Sequence, residues 1–140
     1  MEDFACLFSI YPKYAYKILS GEKKFEYRKK FPTLPFHRLI IYATVPVARI
    51  IGEVHVNKIL QDTPSKIWIE TNKHGGIEKE TFFSYFENRS LAYAYSLSNP
   101  ILYKEQLSLS KIGVINAPQS FVYLDQFQLD IINEAIPNSV

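Results

Sequence analysis

Cysteine is nearly absent from the sequence, since Cys6 is the single thiol among 140 residues. One thiol excludes an internal disulfide and a cysteine-rich zinc site, because each of these requires further cysteines. The three histidines, His37, His55 and His74, also lack the close spacing of a zinc-binding pair. The sequence therefore predicts neither a metal nor another cofactor, and we expect Cys6 to be a small buried hydrophobe.

Long apolar runs and glycine-rich loops are missing as well. The longest apolar stretch, residues 39–48, is too short to span a bilayer and contains Thr44 and Pro46. The chain begins Met-Glu-Asp-Phe, with acidic residues where a secretory signal has basic ones. Gly75 and Gly76 lack the Lys-Ser or Lys-Thr that completes a phosphate-binding loop. We expect no membrane segment, no nucleotide-binding P-loop and a cytoplasmic location.

The composition is that of one ordinary globular domain, with 47% hydrophobic and 21% charged residues. Its charge is unevenly distributed. The net charge is +2, but residues 13–38 hold eight basic and two acidic side chains, a balance of +6 that leaves −4 for the remainder. Clustered positive charge favours an anionic partner such as a phosphate backbone. The alternative is a solvated charged face without a partner.

The basic segment follows a predicted strand over residues 4–10 and a predicted helix over residues 14–19. Phe25 and Tyr27 then alternate with Lys24, Glu26 and Arg28, which is typical of a strand with two unlike faces. Glu26 and Arg28 must project from the same face. We expect these charges to line a surface while the rings point into the core.

The rest of the chain predicts a mixture of strands and short helices. Strands are expected at residues 38–43, 48–59, 91–97 and 101–107, and helices at 64–71, 78–86 and 122–136. The last helix has an apolar stripe that includes Phe127 and Ile131, with acidic residues outside. Without regular alternation of strand and helix, the pattern favours an α+β fold with a small barrel over a Rossmann-like sheet.

Three blocks of sequence resemble one known family. SIYPKYAYKILSGEKKFEYRKKFP, IIYATVPVARIIGEVHV and APQSFVYL occur in the order found in the ASCH domain, a PUA-like family with a common G-x-K-x-x-E-x-R element. In this chain the element consists of Gly21, Lys23, Glu26 and Arg28. The resemblance implies a domain over residues 1–124 that forms a small mixed β-barrel with flanking short helices. Outside the resemblance, we expect residues 125–140 to form an amphipathic helical extension of the same domain.

The resemblance also implies a cleft between the first helix and the following strand, which holds the lysine, glutamate and arginine and binds RNA. Some relatives are enzymes. One group resembles amidohydrolases of a modified cytidine nucleoside that use the lysine, a threonine three residues later and a distant glutamate, and others are ribonucleases. Here Glu26 replaces that threonine, so we do not transfer the amidohydrolase activity. Glu53 and Glu70 are the other carboxylates considered for this role.

The residue types of the element suit nucleic acid. Arg28 can hold a phosphate through its planar fork, and Lys23 adds a compact positive charge. Glu26 can accept hydrogen bonds from a base or orient Arg28, and its alternative role is a structural ion pair. A rim of further basic side chains would contact phosphates without sequence preference, and it comprises Lys13, Lys17, Lys29, Lys30 and Arg38.

Two further groups are candidates for the cleft. Tyr11, Tyr14, Tyr42 and Trp68 could stack on unpaired bases, although most aromatic residues are expected in the core. Thr44, Gln119 and Ser120 are polar residues inside apolar blocks. They could donate hydrogen bonds to a ligand, or they could serve local turns.

These observations favour a protein that binds RNA or a modified nucleotide, with Lys23, Glu26 and Arg28 in the cleft. The alternative is a hydrolase that acts on a modified nucleoside or on RNA, with Lys23 and Glu26 as the catalytic candidates. A third hypothesis is an interaction module in which the acidic amphipathic helix from Val122 packs on a partner protein or pairs two copies of the chain as a homodimer.

Overall fold

The computed structural model describes residues 4–136, which form one six-stranded sheet flanked by four α-helices. The strands are β1 Ala5–Ile10, β2 Phe25–Arg28, β3 Arg38–Ala43, β4 Arg49–Asp62, β5 Ala92–Leu107 and β6 Phe121–Leu124. The helices are α1 Pro12–Leu19, α2 Pro64–Thr71, α3 Lys79–Tyr85 and α4 Gln126–Asn133. Short 3₁₀ turns span Asn72–His74 and Leu109–Ile112. The predicted α+β class is confirmed.

The strand order places the ends of two strands at one edge of the sheet. The order is β2-β5-β4-β3-β1-β6, and β1 pairs in parallel with β3, whereas the other pairs are antiparallel. Ala5 lies opposite Arg38, and Ile10 lies opposite Ala43. The chain therefore leaves β1 and β3 at the same edge, while Arg38 lies at the opposite one.

The two longest strands curl the sheet into a half-barrel. The pairing of β4 with β5 shifts register at three points, which are β-bulges or irregularities of the kind that bend a sheet. The sequence predicted two strands at 91–97 and 101–107, but β5 runs without a break through Asn99 and Pro100. Asn99 has a left-handed φ of 52°, so this turn-like dipeptide bends the strand and does not end it.

The core has a layer on each face of the central strands. Phe8, Ile18 and Tyr95 belong to the layer under α1, whereas Ile50, Ile112 and Ile132 belong to the layer under α4. Each such buried side chain contributes about 1.5–3 kcal/mol through removal of apolar area from water. A third cluster lies between α2, α3 and strands β2 and β5. Cys6 is fully buried, as predicted, and burial raises its pKa to about 12.

The C-terminal segment differs from its prediction. Residues 121–124 form β6, which pairs with β1, and the helix begins only at Gln126. Asp125 caps the helix through two reciprocal hydrogen bonds. Its side chain accepts from the backbone N–H of Gln128 at 2.9 Å, and the Gln128 side chain accepts from the backbone N–H of Asp125. The short apolar alternation of the strand was mistaken for helical periodicity.

Helix α4 uses its apolar side within the domain. Leu129, Ile132 and Ala135 are buried in the second core layer, whereas Phe127 is 72% exposed. The homodimer through this helix stays a prediction. The outer ends of the two predicted segments, residues 1–3 and 137–140, lie outside the described residues. Within residues 4–136, no helix has the length and apolar character needed to cross a bilayer.

Candidate functional site

A cavity of about 470 Å³ lies at the edge where β1 and β3 end. Its volume is within the range of small-ligand sites. We call it the cleft. Its walls come from β1, α1, β2 and α3. The loops that follow β1, α1 and β3, and those that precede α3 and β6, complete it. The residues that line it are Ser9, Ile10, Tyr11, Tyr14, Lys23, Glu26, Tyr27, Arg28, Thr44, Ile77, Thr81, Tyr85, Ala117, Pro118, Gln119 and Ser120.

Lys23 is the most buried charged residue of the cleft, with only 2% of its surface exposed. Its Nζ donates a hydrogen bond to the Gly75 carbonyl oxygen and lies 5.4 Å from the ring centre of Tyr14 and 4.7 Å from that of Tyr27. Burial lowers the pKa of Lys23 to about 8, against the opposing effect of the Glu26 carboxylate. This lysine is therefore a stronger acid than an ordinary lysine, yet mostly charged at pH 7.

Glu26 and Arg28 form an ion pair in the neighbouring wall. Nε and Nη2 of Arg28 both donate to Oε2 of Glu26, at 3.0 and 2.7 Å. Nη2 also donates to the Ser9 carbonyl oxygen at 2.9 Å, and the guanidinium carbon lies 4.9 Å from the ring centre of Phe8. The two residues share one face of β2, as predicted. They are only 7% and 9% exposed, so the expectation that they line an open surface is wrong.

The ion pair leaves specific atoms available to a ligand. None of the described residues donates a hydrogen bond to Oε1 of Glu26. Among the same residues, every side-chain oxygen that is fully buried has a hydrogen-bond partner. Oε1 must therefore reach solvent in the cleft. Nη1 of Arg28 makes one long contact, 3.4 Å to Oγ of Ser120. Glu26 occupies the Nε and Nη2 side of the Arg28 guanidinium group, so Nη1 is the nitrogen left to bind a phosphate oxygen.

The polar residues predicted from the apolar blocks all line the cleft. Thr44 follows β3, and its backbone N–H donates to the Ile10 carbonyl oxygen at 3.0 Å. Gln119 and Ser120 precede β6 on the opposite wall. Ser9 fixes that wall, because its hydroxyl donates to the Pro118 carbonyl oxygen at 2.7 Å.

Aromatic side chains form the mouth of the cleft. Tyr11 and Tyr14 line it as predicted, and Tyr11 is 70% exposed. Tyr42 is instead buried in the second core layer, and Trp68 packs against Phe82. Tyr85, on α3, was missed, because nothing in the sequence indicates that α3 returns to this edge.

The five residues of the predicted basic rim do not lie together. Nζ of Lys13 lies 5.8 Å from the ring centre of Tyr14, and Nζ of Lys29 lies 4.5 Å from that of Tyr85, so both are at the mouth. The backbone carbonyl of Lys17 accepts from the Lys23 N–H, and Lys30 is exposed just beyond β2. Arg38 is not in the rim, because it lies at the opposite edge of the sheet and binds Glu53.

The remaining candidates do not approach Lys23. Glu53 accepts two hydrogen bonds from Arg38 and one from Tyr103, and Glu70 is exposed on α2. His37 and His55 stack with ring centres 5.6 Å apart. No group of three or more His, Cys, Asp or Glu side chains gathers anywhere in residues 4–136. The cleft itself contributes one carboxylate, that of Glu26.

Comparison with known sequences identifies relatives of this chain. The family model described as "ASCH domain" matches residues 8–112. An ASCH domain-containing ribonuclease from Zymomonas mobilis is 30% identical over 123 residues, which cover 83% of this chain and 81% of that protein. A large ribosomal subunit protein uL22 from Ureaplasma parvum is 26% identical over 103 residues, which make up only 33% of that protein.

Solved structures agree with the sequence comparison. The crystal structure of ASCH from Zymomonas mobilis superposes with a TM-score of 0.85 and 26% identity, covering 95% of this chain and 96% of that one. The N-terminal domain of McrB from Staphylothermus marinus has a TM-score of 0.56 and 14% identity over 96% of this chain and 98% of that one. The second likeness concerns the fold alone.

Proposed function

The chain belongs to the ASCH domain family, and from that premise we propose that it is a ribonuclease that binds single-stranded RNA in the cleft and cleaves it there. One observation carries the proposal: a buried lysine with a lowered pKa shares the cavity with a carboxylate that has one oxygen open to it. The Zymomonas mobilis relative, which is named a ribonuclease, supports the same activity.

The proposed reaction is an internal transesterification of RNA. The ribose 2′-oxygen attacks the adjacent phosphorus, the bond from phosphorus to the 5′-oxygen breaks, and the products are a 2′,3′-cyclic phosphate and a 5′-hydroxyl. One proton leaves the 2′-hydroxyl and one is delivered to the 5′-oxygen. The reaction therefore requires a base, an acid and donors for the phosphate oxygens, and no other reactant.

The residues of the cleft supply these roles. Glu26 accepts the 2′-hydroxyl proton at Oε1, while Arg28 holds Oε2 and fixes the carboxylate. Lys23, with its pKa near 8, donates the proton to the 5′-oxygen more readily than an ordinary lysine would. Nη1 of Arg28 and the Ser120 hydroxyl face the phosphate oxygens.

The mouth of the cleft suits an unpaired strand. The exposed ring of Tyr11 and the neighbouring ring of Tyr14 offer faces for bases, which a duplex keeps stacked inside. Lys13 and Lys29 stand at the same mouth and add positive charge for the backbone. We therefore expect single-stranded RNA to be bound more tightly than a duplex of the same sequence.

The donor set of the cleft argues for side-chain acid and base groups. Two-metal phosphodiester sites hold their ions between several carboxylates, whereas the lining of this cleft contains Glu26 alone. We expect cleavage to proceed equally with and without a chelator.

Incubation with matched oligonucleotides tests the proposal. The purified protein is mixed with a 5′-labelled RNA, the same RNA with 2′-O-methyl groups, and the same sequence as DNA, each with and without EDTA. We expect cleavage of the first substrate only, and a cyclic phosphate end by mass spectrometry. Equal cleavage of the 2′-O-methyl RNA would contradict the mechanism. Tight RNA binding without any product would contradict the enzyme and leave the RNA-binding protein.

A further inference from the structure

Two consecutive glycines pack against the side chains around the buried lysine. A Cβ atom on Gly75 would collide with the hydroxyl of Tyr27. On Gly76, whose φ is +63°, a Cβ would lie 2.7 to 3.0 Å from Cβ, Cγ and Cδ of Lys23. Real Cβ atoms seldom come so close to a neighbour, so the glycine backbone fits these two side chains only because it has none of its own.

Hydrogen bonds from Lys23 and from the next residue, Lys24, fasten the same segment. Nζ of Lys23 donates to the Gly75 carbonyl oxygen, and the next residue, Lys24, donates its backbone N–H to the His74 carbonyl oxygen at 2.8 Å. Among the described residues, the Gly75 carbonyl is the one hydrogen-bond acceptor of Nζ. It therefore fixes the direction in which the ammonium group points.

The ring beneath the ammonium is anchored by the start of this segment. The Thr71 hydroxyl donates to the Ile67 carbonyl oxygen at 2.7 Å, which uses its only proton. Tyr27 must then be the donor in its own 2.7 Å hydrogen bond to Thr71. Helix α2 thus holds the Tyr27 ring in place, 4.7 Å from Nζ of Lys23.

We propose that residues 71–76 are a positioning element that fixes Lys23 in the cleft and excludes water from its ammonium group. We call this stretch the 71–76 segment. The functional meaning rests on the proposed ribonuclease activity, because a proton donor must be aimed at the leaving oxygen and must keep its acidity. The packing itself does not depend on that activity.

Other groups also face Lys23 and must be kept constant in a test. Glu26 and Arg28 act on its charge from β2, and Lys17 acts from α1. The rings of Tyr14 and Tyr27 flank it from α1 and β2. A useful variant therefore changes the 71–76 segment and none of these residues.

Gly76→Ala and Gly113→Ala form a matched pair. Both glycines have a left-handed φ, of 63° and 74°, so both variants have the same backbone penalty. Nothing lies within 4 Å of a Cβ on Gly113, whereas a Cβ on Gly76 meets Lys23. Lysine labelled with ¹³Cε and ¹⁵Nζ reports the titration of Lys23 directly by NMR.

We expect Lys23 to titrate near pH 8 in the wild type and in Gly113→Ala. In Gly76→Ala the midpoint is expected to rise by about one pH unit or more towards the ordinary lysine value, because the displaced side chain meets water. An unchanged midpoint in folded Gly76→Ala would overturn the proposal.

Thr71→Val is the second variant, in case Gly76→Ala does not fold. It removes the hydroxyl that holds Tyr27 and does not itself contact Lys23, and we expect a rise in the same direction but smaller. An unchanged midpoint here would likewise count against the 71–76 segment. If the midpoints move as expected while the wild type leaves RNA intact, the positioning element stands and the ribonuclease activity is refuted.

Discussion

Two Arg–Glu pairs at opposite edges of the sheet, each with a buried glutamate, differ in how many hydrogen bonds their carboxylate oxygens accept. Arg38 donates to both oxygens of Glu53, at 2.9 and 2.7 Å, and Tyr103 donates to the same carboxylate at 2.7 Å. In the cleft, Nε and Nη2 of Arg28 both donate to Oε2 of Glu26. Oε1 has no protein donor among the described residues.

The closed pair ties elements together. Arg38 also donates to Oδ1 of Asn133 at 2.9 Å, so the Arg38–Glu53 pair joins β3, β4, β5 and α4. Burial, and after it the charge of the Glu53 carboxylate, raise the pKa of Tyr103. A pair without spare atoms is structural, whereas a pair with one open oxygen can bind a ligand or move a proton.

The sharpest test of this comparison is the matched change Glu26→Gln and Glu53→Gln. Each removes a carboxylate charge and keeps the shape of the side chain. We expect Glu26→Gln to lower the rate of RNA cleavage by about 100-fold or more, since a general base contributes at least that factor. Glu53→Gln is expected to keep the rate per folded molecule. Equal losses in both variants, measured in single-turnover assays, would erase the distinction.

Arg38→Ala tests the closed pair through stability. It leaves the Glu53 carboxylate buried with only Tyr103 as its donor, and we expect the free energy of unfolding to fall by about 3 kcal/mol. Arg49 is the control, because it is exposed and donates only to the neighbouring Ala48 carbonyl. Arg49→Ala should change stability by less than about 0.5 kcal/mol. Urea unfolding followed by circular dichroism gives both values, and similar losses would contradict a structural role for Arg38.

Lys23→Met tests the third charged residue of the cleft through the pH dependence of the free energy of unfolding. The folded pKa of Lys23 is below its unfolded value, so the folded state favours the neutral amine. The wild type should therefore gain stability relative to the variant as pH rises above about 8, by about 1 kcal/mol at pH 9. Below about pH 7 the difference should be constant, and Lys24→Met, at an exposed neighbouring position, is the control variant. A flat difference for Lys23→Met in urea unfolding at several pH values would contradict the burial of its charge.

The smallest expected effect concerns the predicted basic rim, to which Lys30 belongs. Lys30→Ala should weaken RNA binding about equally for all sequences and lower the slope of log affinity against log salt by about one unit. Lys104, which is exposed on β5 and bonded through its backbone to Ala135, serves as the control on the α4 side. An equal loss of slope in Lys104→Ala, measured by fluorescence anisotropy, would show that the charge of the whole surface decides binding.

The sequence predicts that Lys23, Glu26 and Arg28 lie together, but it does not predict that they are buried. The alternation around Phe25 and Tyr27 places Glu26 and Arg28 on one face, and the G-x-K-x-x-E-x-R spacing brings Lys23 near them. The surroundings of Arg28 include Phe8 of β1 and Ser120, which lies just before β6, and both are distant from Arg28 in the sequence. No local pattern encodes such a contact.

The same limit applies to the fold. Strands β1 and β3 were predicted closely because their apolar character is local. The C-terminal strand was missed, because Phe121–Leu124 is short and pairs with a strand more than a hundred residues earlier. Nothing near Arg38 indicates that Glu53 and Tyr103 will meet it, since their contact depends on the register of three strands.

The pairing of β6 with β1 affects when the cleft exists at all. The Ser9 hydroxyl donates to the Pro118 carbonyl oxygen and the Ser9 backbone N–H donates to that of Ser120, so this wall of the cleft depends on β1 and on the segment that leads into β6. A growing polypeptide that has not yet emerged past residue 124 has the lysine, the glutamate and the arginine but lacks that wall. We therefore expect a chain shortened before residue 121 to lack the complete cleft and, with it, the proposed ribonuclease activity.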